Sequence, residues 1–72
     1  MSTIHTKEYR ALIKKLVQAR KEADLSQIDV AEKLGVHQSF ISKIETCQRR
    51  VDVLELQKFA KIYGVDVAEL ME

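Results

Sequence analysis

Between Leu25 and Glu45 the chain reads LSQIDVAEKLGVHQSFISKIE, and this stretch constrains the fold more than any other. Ser26 stands where a helix can begin, with Asp29 three residues on, the spacing at which two side chains cap a first turn reciprocally. Val30, Ala31 and Leu34 follow at helical steps, and Gly35 then supplies the left-handed residue that ends a helix. Beyond it, Val36, Ile41 and Ile44 recur on one helical face, while His37, Gln38, Ser39, Ser42 and Lys43 fall on the opposite one. The pattern predicts helices over 27–34 and 38–45 joined by a tight turn, the second with one apolar side and one side rich in hydrogen-bonding groups. That geometry lets a protein set a helix into the DNA major groove.

The rest of the chain is short for anything more elaborate. Its 72 residues predict one domain over 1–72 with an economical core, and the lack of proline with only two glycines favours helices joined by brief turns. An all-α, five-helix bundle is expected. Tyr9, Leu12, Ile13, Leu16, Val17 and Ala23 make an amphipathic helix over 8–23, its outer face carrying Lys14, Lys15, Gln18 and Lys21; residues 1–7 are expected to form a flexible tail. Asp52 and Glu55 repeat the capping signature before a helix over 53–63, whose predicted buried stripe is Val53, Leu56, Phe59, Ala60 and Tyr63, stopped by Gly64. Asp66 and Glu69 repeat it again before a helix over 67–71 that offers Val67 and Leu70.

Several function classes are excluded by what the chain contains. A lone Cys47 makes no internal disulfide, and with His5 and His37 it gives no metal-ligand spacing, so neither metal nor cofactor is expected. No Ser, His and Asp set and no glycine-rich phosphate loop point to an enzyme. No apolar run approaches a membrane span and Met1 to His5 shows no signal pattern, which predicts a cytoplasmic protein without a membrane partner. The net charge of +1 is small but segregated. Residues 37–50 carry Lys43, Arg49 and Arg50 against Glu45, net +2, whereas residues 51–72 carry Lys58 and Lys61 against Asp52, Glu55, Asp66, Glu69 and Glu72, net −3. One basic side and one acidic side suit a protein that meets phosphate on one face only.

The ordered residues Leu25-Ser26-Gln27, Ala31 to Val36 (AEKLGV) and Ile41 to Glu45 (ISKIE) resemble the Xre-like, Cro/repressor-type helix-turn-helix family of DNA-binding transcriptional regulators. The resemblance implies a bundle of the lambda-repressor-like type with helices two and three forming the motif. It implies that Gln38, Ser39 and Lys43 face base edges, with His37 either joining them, touching phosphate, or serving only as a poor cap. Gln suits adenine, Lys suits guanine and Ser is permissive. Ser26 and Gln27 would hold one phosphate at a helix N-terminus, and Thr46, Arg49 and Arg50 would hold the other side. Phe40 either packs on the core, the favoured reading, or turns its edge to a thymine methyl.

Arg20 lies on or beside the apolar face, where an unpaired guanidinium would be costly. The resemblance pairs it with Glu45. Cys47 stands where the family has glycine, so the loop either carries a strained residue or takes another path. The excess apolar surface of Leu54, Ile62, Val65, Val67 and Leu70 is expected to serve a homodimer on a pseudo-palindromic operator. A protein-docking module, such as the antitoxin partner of a toxin, is the alternative.

Overall fold

The computed structural model describes residues 6–72, and five helices follow one another: α1 (Lys7–Glu22), α2 (Gln27–Leu34), α3 (Gln38–Glu45), α4 (Val53–Tyr63) and α5 (Val67–Met71). The first begins earlier than its apolar pattern suggests. The Thr6 hydroxyl accepts the Tyr9 N–H at 3.1 Å and Glu8 sits in the first turn, so Thr6 and Lys7 belong to the helix and not to a tail. Residues 1–5 of the expected tail, His5 included, lie outside the described residues.

Both capping signatures with a well-placed partner close as reciprocal boxes. The Ser26 hydroxyl accepts the Asp29 N–H at 3.0 Å while Ser26 N–H donates to Asp29 Oδ2 at 2.9 Å, and Asp52 with Glu55 does the same at 2.7 and 3.0 Å. The third does not form: Asp66 makes no side-chain cap, and only the Glu69 N–H to Asp66 carbonyl bond closes that turn.

The first four helices end alike. In each, the residue after the last turn takes positive φ, and the next residue donates its N–H to the carbonyl five positions back, the Schellman arrangement. Gly35 (φ 70°) and Gly64 (φ 72°) do this without a Cβ, whereas Asp24 (φ 61°) and Cys47 (φ 60°) do it with one. The long bonds are Leu25 to Arg20, Val36 to Ala31, Gln48 to Lys43 and Val65 to Ala60, at 2.8–3.2 Å. A Cβ at Gly35 would meet nothing within 4 Å, so its requirement is torsional rather than steric.

α1 is the hub, packing on α3, α4 and α5, while α2 lies on α3 and α4. Leu16, Val30, Ile41, Ile44 and Phe59 are sealed at the centre, each contributing roughly 1.5–3 kcal/mol by leaving water. Tyr9 serves the core twice, packing against it and accepting the Val51 N–H at 3.0 Å, which pins the loop after α3. Two apolar expectations are corrected. Val53 is 65% exposed rather than part of the stripe, and Leu70, offered as a dimer contact, is 3% exposed because α5 folds back on α1. Of the other dimer candidates, Leu54 is exposed while Ile62, Val65 and Val67 are half-buried against the core. No described helix is long and apolar enough to cross a membrane.

Candidate nucleic-acid interface

α3 has eight residues, a length of about 12 Å, close to the roughly 12 Å width of a DNA major groove. Its amphipathic spacing fixes which side is presented. Ile41 and Ile44 are wholly withdrawn from solvent, Phe40 is half-buried against the core, and His37, Gln38, Ser39 and Lys43 are exposed, with Ser42 between. His37 occupies the N-cap position and makes no side-chain cap hydrogen bond, so its imidazole does not tie down the first turn.

Beneath this face lies a polar chain joining three helices. Arg20 is 9% exposed. Its Nε donates to Glu45 Oε2 at 2.7 Å, its Nη2 to Glu45 Oε1 at 3.1 Å, and its Nη1 to the Leu25 carbonyl at 2.8 Å. The fork therefore holds the end of α3, the end of α1 and the residue before the α2 cap in one geometry. Hydrogen bonding to Glu45 raises the Arg20 pKa above its ordinary value against the opposing effect of burial, so the guanidinium is firmly charged. From Glu45 the chain continues outward. Gln27 Nε2 donates to Glu45 Oε1 at 2.9 Å, and Gln38 Nε2 donates to Gln27 Oε1 at 3.1 Å.

The flanking residues are less uniform. Ser26 lends its hydroxyl oxygen to the α2 cap, and Gln27 has both ends of its amide engaged. Thr46 Oγ1 donates to the Ser42 carbonyl at 2.8 Å and accepts from Gln48 Nε2 at 2.9 Å, so its proton is used in closing α3. Arg49 is exposed, with its guanidinium 4.5 Å above the Phe40 ring and 3.3 Å from Glu55 Oε2, a pair weak enough to exchange. Arg50 is exposed beside it. Cys47 keeps the loop on a glycine-like path by adopting positive φ.

Two features add to what the sequence shows: the link through Gln27, and Arg10 standing with the Lys14 and Lys21 expected on the outer face of α1. Gln27 links the buried pair to Gln38, which no linear spacing reveals because the link runs from the start of α2 to both ends of α3. Arg10, Lys14 and Lys21 line a shallow groove with Glu45 and Cys47 at the edge of α3, and none of the three is in an ion pair with a described residue. Their signal was present: steps of four and seven place all three cations on one side of α1. Among the described residues, no three His, Cys, Asp or Glu side chains are gathered as metal ligands.

Comparison with known proteins agrees with this geometry. The model of a helix-turn-helix family matches residues 16–70. An XRE-family like protein from Pseudomonas syringae pv. tomato str. DC3000 has a solved structure that is 42% identical, covers 96% of this chain and 84% of its own, and superposes with a TM-score of 0.86. No curated protein matches.

Proposed function

Because the chain belongs to the XRE-type helix-turn-helix family, we propose that it binds duplex DNA sequence-specifically as a transcriptional regulator, with α3 in the major groove. The observation that carries this reading is the two-sidedness of α3: Ile41 and Ile44 sealed at 0% exposure, and Gln38, Ser39 and Lys43 exposed on the other side. Gln38 reads adenine, Lys43 donates to guanine, Ser39 fills between them, and His37 lies at the edge of the footprint. Arg49 and Arg50 grip phosphate beyond the end of α3. Ser26 grips it at the start of α2, where its hydroxyl can still donate, and the second N–H of Gln27 joins it. Thr46 contributes chiefly by holding the loop that carries the arginines, since its hydroxyl proton already serves Ser42.

The protein acts as a homodimer on a pseudo-palindromic site with half-sites about 34 Å apart. The start of α4 supports a contact there: Val53 and Leu54 are adjacent and each 65% exposed. Mobility shift of a randomised duplex pool across a salt series tests the reading. A shift that weakens steeply with salt supports it, whereas no shift at low salt would replace it with a protein-docking role.

A further inference from the structure

We propose that the buried Arg20–Glu45 pair does more than hold α3 in place: through Gln27 it fixes which edge of the Gln38 amide is offered to a base, and so makes that position select adenine over guanine. This rests on the DNA-binding reading. An ionised carboxylate can only accept hydrogen bonds. Glu45 Oε1 therefore requires the nitrogen end of the Gln27 amide, which it meets at 2.9 Å. Turning that amide over would set two acceptor oxygens against each other.

With its nitrogen inward, Gln27 has its oxygen left for Gln38, and Gln38 must bring its own nitrogen to it, as it does at 3.1 Å. Gln38 is then left with one N–H and an oxygen without a hydrogen-bond partner among the described residues. One donor beside one acceptor matches adenine, which offers N7 as acceptor and N6 as donor, and mismatches guanine, whose O6 and N7 both accept. An unanchored glutamine could turn its amide to suit other edges. Here the orientation is inherited from a pair whose side chains are only 11% and 6% exposed. Glu45 and Arg20 touch no base in this arrangement and are positioning residues.

The test is the adenine-to-guanine affinity ratio at the base pair whose discrimination is lost in Gln38→Ala. Wild type is expected to favour adenine there by about tenfold or more, the range of a good bidentate contact. Removing both charges together, Arg20→Met with Glu45→Met, avoids a lone buried ion and releases the amide. In that variant, checked for helical content by circular dichroism, the ratio should fall to less than about threefold, while selectivity at the other positions and the salt slope persist. A folded double variant that keeps the full preference overturns the proposal, as does a wild type that binds DNA selectively with no adenine preference at that pair. A wild type that binds no duplex at all instead overturns the DNA reading itself. Should the double variant not fold, nuclear magnetic resonance of wild type decides: slowly exchanging Gln27 side-chain amide protons near Glu45 support the lock, and rapidly averaging ones refute it.

Discussion

Single side chains carry unequal shares of this structure. Arg20 is withdrawn from solvent with each guanidinium nitrogen hydrogen-bonded, so Arg20→Met would leave Glu45 charged and without its ion-pair partner. A loss of about 3–5 kcal/mol is expected, read as a lowered midpoint in denaturant unfolding. Cys47 is the opposite case, a left-handed residue whose Cβ strains the backbone. Cys47→Gly relieves a strain of order 1–2 kcal/mol against some lost packing and added chain entropy, and unfolding stability should rise by up to about 1 kcal/mol. The Tyr63 hydroxyl is buried without a hydrogen-bond partner among the described residues, and burial, reinforced by the Glu45 charge, pushes its pKa above the ordinary 10.0. A raised pKa in the folded state means stability that is full below about pH 10 and falls as pH climbs beyond it. Tyr63→Phe should flatten that alkaline loss in pH-dependent melting and leave neutral-pH stability equal or higher.

At the scale of elements, the helices were largely readable because their punctuation is local. Helices over 27–34, 38–45, 53–63 and 67–71 coincide with α2 to α5, since Ser26, Asp52, Gly35 and Gly64 act within one turn of themselves. The ends of α1 depend on less marked residues. Thr6 caps α1 ahead of its apolar pattern, and Asp24 ends it in a conformation that glycine would have announced. Side-chain networks were less legible. Arg20 on an apolar face signalled that a partner was needed, but nothing in the spacing of Gln27, Gln38 and Glu45 revealed that one carboxylate would orient two amides, because that depends on how α1, α2 and α3 meet. For the same reason periodicity places Val53 in the core and Leu70 at a contact surface, the reverse of what the structure shows: helical periodicity finds the buried arc to within a residue or so, while the packing of α5 on α1 decides its edges. The α2 capping box offers a direct check. Ser26→Ala should cost about 1 kcal/mol. The Ser26 hydrogen bonds hold the Asp29 carboxyl below its ordinary range, so their stabilisation is present above about pH 4 and fades as pH falls further.

The molecule as a whole joins a small sealed core to one polar helix face, with cations on the loop after α3 and along α1 and a net negative charge over residues 51–72. That asymmetry predicts two kinds of mutant. Arg50→Ala should weaken binding to cognate and random DNA alike and reduce the salt slope by about one, as measured by fluorescence anisotropy. Leu54→Lys tests the proposed homodimer: if Leu54 lies in its contact, the variant should sediment as a folded protomer where wild type sediments as a dimer. The most direct test of the central claim is selection of bound sequences from a random duplex library, followed by titration of wild type and Gln38→Ala on the selected and a scrambled duplex. The account predicts enrichment of a defined site and a loss of about 1–3 kcal/mol for Gln38→Ala on that site alone. No enrichment, or equal losses on both duplexes, would contradict it.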